Sequence, residues 1–163
     1  MTTPAPIIHR GHCGCGQSNY RLLASPLFTH CCHCTWCQRE TGSAFAINAL
    51  IETCKVELES GNLEARTLQS NSGSGQEIVR CRSCQTVLWS HYSAAKQAIA
   101  FVRVGTLLDA SSIKPDIHIF TESKLPWVQI PTDAQAVRQY YRRSKHWPEV
   151  SLRRYNECCE ASL

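Results

Sequence analysis

The chain has 163 residues, a length that favours one domain with a hydrophobic core large enough to fold without help. Its formal charge is +4, and no apolar run approaches the roughly 20 residues that a membrane span requires. Prolines at positions 4 and 6, followed by His9 and Arg10, argue against a secretory signal over residues 1–10, so we expect a cytoplasmic protein.

Eleven of the 163 residues are cysteine, which is more than ordinary packing needs. Without a secretory signal, metal or redox chemistry explains these cysteines better than a disulfide framework does. Seven zinc-bound thiolates and two zinc ions would reduce the formal charge from +4 to about +1, since zinc ligands are deprotonated. Net charge therefore gives no argument for a nucleic-acid partner, and we expect neither nucleic acid nor a membrane as a partner. Cys54 is interpreted as an ordinary buried thiol.

The apolar pattern predicts a mainly β chain of about ten short strands. The predicted strands are, in chain order, residues 7–12, 19–23, 28–32, 44–51, 55–58, 63–68, 76–80, 86–90, 99–104 and 117–120. Residues 34–42 are predicted to form a turn and a short helix, with Gly42 in the C′ position. Composition predicts a flexible loop over 71–75 and a helical turn over 94–98.

The C-terminal part of the chain predicts one longer helix, over residues 133–146. Four residues of this segment fall on one stripe at helical spacing: Ala134, Val137, Tyr140 and Tyr141. Periodicity is weak from residue 147 onward, so a loose tail is expected there. Residues 1–163 are interpreted as a single zinc-binding domain with its core over about 9–131.

Two short cysteine motifs, far apart in the chain, form the first candidate metal site. Cys13 and Cys15 lie in a glycine-punctuated turn, and side chains two positions apart in an extended backbone point to one side. Cys81 and Cys84 form a CxxC pair between two predicted strands. Four thiolates are a ligand set that structural zinc prefers, and such a closed site stabilises a fold by joining remote segments.

The second candidate site lies in residues 30–37, where four cysteines and two histidines occur within eight positions. If the chain is extended here, Cys32 and Cys34 share a side, and the following turn brings Cys37 to the same metal. His33 then points to the opposite side and is poorly placed as a ligand. Three protein ligands with one open position are typical of catalytic zinc.

The local spacing leaves a second register open for this site. Cys31 and Cys34 also form a CxxC pair, and His30 or His33 could then close the shell into a structural site. A thioredoxin-like redox pair is disfavoured, because that motif belongs at a helix N-terminus in a βαβ setting.

The ordered set of motifs resembles the glutathione-dependent formaldehyde-activating enzyme family, also called S-(hydroxymethyl)glutathione synthase, with centromere protein V as a eukaryotic relative. The motifs that carry the resemblance are CGCG at 13–16, CHCTWCQRETGSAF at 32–45, CRSC at 81–84 and IHIFTESKLPW at 117–127. The resemblance covers residues 9–131. Any one CxxC pair is weak evidence, whereas the ordered set is specific.

The resemblance implies a zinc-stapled β-tent of antiparallel sheets, to which the residue pattern adds short helices and a C-terminal helix. It assigns one structural zinc to four cysteines and one catalytic zinc to three others. Of the two registers considered for the second site, the resemblance implies the one in which Cys31 is not a ligand. The implied structural ligands are Cys13, Cys15, Cys81 and Cys84, and the implied catalytic ligands are Cys32, Cys34 and Cys37.

The implied activity is that of a carbon–sulfur lyase working in the condensing direction, with two Zn²⁺ ions as cofactors. Glutathione or a similar small thiol would add to formaldehyde or another small aldehyde. Glutathione is anionic, so Arg39 and Ser43 are the candidate residues that bind it. Alternatively, Arg39 is a solvated surface residue and Ser43 caps the short helix.

Gln85 departs from the pattern of the family, which usually has glycine after the last structural cysteine. If this backbone position requires a positive φ, Gln85 carries a strain of roughly 1 kcal/mol or more.

The main functional alternative is a non-catalytic zinc-stapled binding domain, whose distinguishing feature would be a fourth protein ligand at the second site. A nucleic-acid-binding zinc ribbon would need aromatic and basic residues interleaved near the cysteines, and only Arg80 and Arg82 qualify. A sulfoxide reductase is disfavoured, because the recycling-cysteine arrangement of such an enzyme is not recognisable in this chain.

Overall fold

A computed structural model of the chain describes residues 8–69, 75–92 and 97–160. Ten β-strands form two sheets and the helices are short, so the mainly β prediction is confirmed. Most of the predicted loop over 71–75 and of the predicted turn over 94–98 lies outside the described residues. Within the described ranges, no helix is long and apolar enough to cross a membrane.

The smaller sheet has three antiparallel strands in the order β1-β2-β5. Its strands are β1 (His9–His12), β2 (Asn19–Leu22) and β5 (Val56–Ser60). Tyr20 and Leu22 alternate with more exposed residues along β2 and are fully buried. One face of this sheet therefore packs on the core.

The larger sheet has seven strands in the order β10-β3-β4-β9-β8-β7-β6. Its strands are β3 (Phe28–Cys32), β4 (Ala46–Glu52), β6 (Leu63–Leu68), β7 (Gln76–Cys81), β8 (Val87–Tyr92), β9 (Ile99–Arg103) and β10 (Ile117–Ile119). All neighbours pair antiparallel except β10 and β3, which pair parallel. This exception to the antiparallel prediction is possible because a long stretch of chain separates the two strands.

The larger sheet is covered by apolar side chains on both faces. Every residue of β3 and β9 is buried. Along β9, Ile99 and Phe101 belong to one core cluster, whereas Ala100 and Val102 belong to the other. Because side chains alternate across a strand, burial of every residue means that both faces of these strands are covered.

The predicted short helix after β3 is confirmed as α1 (Thr35–Thr41). Cys34 is its N-cap, and the Cys34 Sγ atom accepts a hydrogen bond of 3.3 Å from the backbone N–H of Cys37. Gly42 follows in the left-handed conformation, with φ of 65°, and ends the helix as glycine at C′ commonly does.

The predicted helix over 133–146 is wrong in its position. Residues 135–139 instead run extended beside β10, where the N–H of His118 donates to the Gln135 carbonyl and the N–H of Val137 donates to the His118 carbonyl. The helices of this region are α2 (Arg143–His146) and α3 (Glu149–Glu160). The C-terminal helix thus lies where a loose tail was expected.

Two contacts explain this outcome. The edge of β10 offers backbone donors and acceptors that residues 135–139 satisfy, whereas a helix there would leave that edge unpaired. Arg154 of α3 donates two hydrogen bonds, of 2.9 and 2.7 Å, to the buried carboxylate of Glu52 on β4. A bidentate pair of this kind holds α3 against the larger sheet.

Candidate metal centres and active site

The first cluster of thiols joins the two sheets. Cys13 and Cys15 lie in the turn between β1 and β2, whereas Cys81 and Cys84 lie at the turn between β7 and β8. The four Sγ atoms lie within 4.8 Å of one another, with 3.4 Å between Cys13 and Cys15 and 4.0 Å between Cys15 and Cys81. Sulfur atoms around tetrahedral zinc are about 3.8 Å apart, so the cluster fits one zinc ion.

Hydrogen bonds around this cluster favour the thiolate form, which zinc requires, at two of its four sulfurs, those of Cys13 and Cys84. The backbone N–H of Ser18 donates to the Cys13 Sγ at 3.3 Å. The Thr86 hydroxyl lies 3.1 Å from the Cys84 Sγ, and this hydrogen bond lowers the pKa of Cys84 to about 5. The four predicted structural residues therefore form a set able to hold a metal ion.

Gln85, the residue that follows this cluster, has the positive φ considered in the sequence analysis. Gln85 has a φ of 62°, and its N–H donates to the Cys81 carbonyl at 3.0 Å to close the turn. A residue with a Cβ atom is strained in this region of φ. The positive φ on which the expected strain depends is present at Gln85.

Relief of this strain is measurable. The Gln85→Gly variant should raise the free energy of unfolding by about 1 kcal/mol, because glycine adopts a positive φ at little steric cost. Gln85→Ala is the matched control, since it also removes the side-chain amide but keeps the Cβ atom. Urea unfolding of the zinc-loaded proteins tests this. Equal stability of the glycine and alanine variants would contradict it.

The second cluster of thiols lies where β3 meets α1. The Sγ atoms of Cys32, Cys34 and Cys37 lie within 4.8 Å of one another, and all three residues are buried. Within the described residues, no fourth Cys, His, Asp or Glu joins this group. The structure thus brings together the three cysteines that the resemblance assigns to the catalytic zinc.

The electrostatics of this cluster concentrate negative charge on one sulfur. Hydrogen bonds from the thiols of Cys32 and Cys37 lower the pKa of Cys34 to about 2. The interaction with Cys34 in turn raises the pKa of Cys32. Metal binding would let all three sulfurs ionise, because a coordinating thiol is deprotonated by the charge of the ion.

The three thiols lie at one side of a cavity of about 350 Å³. Its walls are mainly aromatic and aliphatic, and one stretch of them comes from the C-terminal segment. The cavity residues of that segment are Tyr140, Arg143, Trp147 and Tyr155. Trp36 of α1 also lines the cavity. A cavity of this size and composition is typical of a small-molecule site.

A row of polar side chains crosses the larger sheet beneath this cavity. Strand register pairs His30 with Asn48, and Asn48 with Arg103. Arg103 donates a hydrogen bond to the Asn48 Oδ1, and its guanidinium also forms a buried ion pair of 2.5 Å with Glu40. The Asn48 Nδ2 lies 3.3 Å from the His30 Nε2.

This row determines the tautomer of His30. Because Arg103 occupies the amide oxygen of Asn48, the Asn48 NH₂ group faces His30 and donates to its Nε2. The ring proton therefore sits on Nδ1, which is buried without a hydrogen-bond partner among the described residues. Burial lowers the pKa of His30 to about 3, so the ring is neutral at pH 7. His30 is thus a neutral residue of the cavity wall, and its buried Nδ1–H has no hydrogen-bond partner among the described residues.

The two residues predicted to bind glutathione lie elsewhere. Arg39 and Ser43 are exposed, and neither lines the cavity. Among the described residues, the cation of the cavity wall is instead Arg143, whose guanidinium lies 4.4 Å above the ring of Tyr155. Sequence reasoning missed Arg143 because its place beside the cysteines depends on the path of the C-terminal segment.

Of the cysteines outside the two clusters, Cys54 differs from expectation. No disulfide joins any of the eleven cysteines, all of which lie in the described part of the chain. Cys54 is exposed, so its interpretation as a buried thiol is wrong. It lies in a short 3₁₀ turn between β4 and β5, at the surface of the fold.

Comparison with known proteins identifies the family. The model of the glutathione-dependent formaldehyde-activating enzyme family matches residues 8–123. The chain belongs to this family. Among solved structures, a crystal structure of a Rhodobacter sphaeroides protein is similar, with 21% identity, a TM-score of 0.46 and coverage of 65% of this chain and 91% of that chain. No curated protein matches the sequence.

The family match divides the cavity into two parts. Both thiol clusters and the row from His30 to Arg103 lie within the segment that matches the glutathione-dependent formaldehyde-activating enzymes. The aromatic wall from Tyr140 to Tyr155 lies after that segment. The thiols and the row from His30 to Arg103 are thus in the family part, whereas Arg143 and much of the aromatic wall of the cavity come from outside it.

Proposed function

We propose that this protein is a zinc-dependent carbon–sulfur lyase that adds the thiol of glutathione, or of a related small molecule, to formaldehyde or another small aldehyde. The observation that carries the proposal is the position of Cys32, Cys34 and Cys37 in the wall of a cavity large enough for a small molecule. Three thiolates leave a tetrahedral ion one position for substrate. Membership of the family supports the same reaction.

The cysteine side chains divide between two tasks. Cys13, Cys15, Cys81 and Cys84 would hold a structural zinc, and Cys32, Cys34 and Cys37 would hold the catalytic one. When bound at the second site, zinc supplies a positive charge that favours the thiolate form of a substrate thiol. The burial of the three cysteines and the apolar walls of the cavity keep bulk water from the reacting sulfur.

The reaction forms one bond and moves one proton. The substrate thiol loses its proton, its sulfur bonds to the aldehyde carbon, and the electron pair of the C=O π bond moves to oxygen. That oxygen then takes up a proton to give the hydroxymethyl thioether. We assign to the His30 Nδ1–H the role of hydrogen-bond donor to the oxygen as negative charge develops there, because Asn48 and Arg103 fix the tautomer of the ring and Nδ1 has no partner among the described residues.

Anionic groups of the thiol substrate need a partner in or near the cavity. Arg143 is the candidate for this role, since it lines the cavity and is held over Tyr155. Arg39 and Ser43 stay candidates for contacts with a part of glutathione that extends outside the cavity.

The proposed function is tested by the rate of exchange between free formaldehyde and S-(hydroxymethyl)glutathione. This rate is measured at equilibrium by NMR, with the quick spontaneous exchange subtracted. Zinc-loaded wild type should increase the rate in proportion to protein concentration. An exchange rate equal to the spontaneous one would favour the alternative, a non-catalytic zinc-stapled binding domain.

The role of His30 gives a sharper test. His30→Leu should lower the catalysed rate constant about 10–100-fold with a smaller effect on KM, because a donor to the developing charge acts mainly in the transition state. His30→Asn should recover part of the rate, since its side-chain amide can place an N–H near the position of Nδ1. Zinc content, measured by mass spectrometry, should be the same in all three proteins. Equal loss of activity in both variants would contradict this role.

A further inference from the structure

The other face of β3 carries a second group of metal-binding side chains. Cys31 and His33 alternate with Cys32 and Cys34, so they point away from the cavity. Strand register places His118 of β10 directly beside Cys31. The parallel pairing of β10 with β3 therefore assembles one thiol and two imidazoles from remote parts of the chain.

The distances within this group match those around a tetrahedral metal ion. The His33 Nε2 lies 3.0 Å from the His118 Nδ1 and 3.6 Å from the Cys31 Sγ. With Zn–N near 2.0–2.1 Å and Zn–S near 2.3 Å, the expected separations are about 3.3 and about 3.6 Å. All three ligand atoms lie within 4.8 Å of one another.

The surroundings also suit a bound ion. Cys31 and His33 are buried, and His118 is half-buried, which gives an ion a way in from solvent. The His33 Nε2 is the ring atom that faces both other members of the group, Cys31 and His118. Hydrogen bonds to the His33 carbonyl from Gln38 and Ser123, of 2.8 and 3.1 Å, fix the backbone of this residue.

We propose that Cys31, His33 and His118 form a third metal site, which binds a zinc-type divalent ion and ties β10 to β3. One thiolate and two neutral imidazoles are a ligand set that suits zinc, and other borderline divalent metals such as cobalt. The site has fewer thiolates than the two cysteine clusters, so it fills after them. Its role is structural, because the ion would lie on the face of β3 opposite the cavity.

The experiment uses the full chain with its two cysteine clusters already loaded, and the probe is Zn²⁺ alone. After dialysis against a weak chelator, wild type should hold two equivalents and take up a third in a calorimetric titration. His118→Ala should weaken the third binding event at least 10–100-fold, since loss of groups that merely support a ligand has that effect. His146→Ala, a histidine outside the cluster, should bind the third equivalent as wild type does.

Two further readouts keep the proposal testable if His118→Ala folds poorly. Zinc should protect Cys31 from alkylation in wild type, with the modified residues identified by mass spectrometry. The third equivalent should also raise the melting temperature of wild type, because an ion that binds only the folded state stabilises it. Absence of a third equivalent would overturn the proposal and leave a hydrogen-bonded histidine pair. Equal uptake of the third zinc equivalent by His118→Ala would also overturn the proposal, because that zinc would then be bound adventitiously by other thiols.

Discussion

Replacement of Cys81 by serine is expected to unfold the protein at temperatures where wild type is folded. Cys81 ends β7 of the larger sheet and Cys84 follows it, whereas their partners Cys13 and Cys15 follow β1 of the smaller sheet. One zinc ion there would join the two sheets. Structural zinc contributes about 10–16 kcal/mol of apparent binding energy in zinc-finger peptides, and whole domains are stable by only about 5–15 kcal/mol.

The expected loss for Cys81→Ser is therefore about 5 kcal/mol or more, even if a weaker three-thiolate site survives. Thermal unfolding followed by circular dichroism measures it, together with zinc content. Cys54→Ser is the matched control, because Cys54 is exposed and belongs to neither cluster. An unchanged melting temperature in Cys81→Ser would contradict the structural assignment of this cluster.

Local elements were predictable where short-range chemistry determines them. β3 spans the predicted residues 28–32, because a run of apolar and β-compatible side chains is buried on both faces. α1 follows because Cys34 can cap a helix and Gly42 can adopt a positive φ at its end. The same alternation along β3 separates the cavity face from the face that carries Cys31 and His33.

The site was predictable only as far as its residues lie close together in sequence. His30 shares a face with Cys32, so its place in the cavity wall was implied by the alternation that sorted the cysteines. His118 was beyond reach, because the parallel pairing of β10 with β3 depends on a long connection. The position of Arg143 depends on the extended segment at 135–139, where pairing with a sheet edge overrides a helical pattern.

Replacement of Cys34 by serine is expected to abolish catalysis while the fold survives. The variant removes the thiol with the lowest pKa of its cluster, and with it one of three ligands in a site that has no fourth within the described residues. Serine is itself a good N-cap, so its hydroxyl can accept the hydrogen bond that the Cys37 N–H donates to Cys34. The helix cap is kept while the metal ligand is lost.

Cys34→Ser should therefore hold one tightly bound zinc where wild type holds two, and its formaldehyde exchange rate should fall to the spontaneous value. Metal analysis, calorimetric titration with glutathione and the melting temperature separate the possible causes. Cys31→Ser is the matched control: it changes a thiol on the same strand but on the opposite face, so it should keep the two cysteine-cluster ions and the activity. Global unfolding of Cys34→Ser would mean instead that both thiol clusters are structural. Loss of activity in Cys31→Ser would contradict the assignment of the catalytic ligands, because Cys31 lies on the face of β3 opposite the cavity.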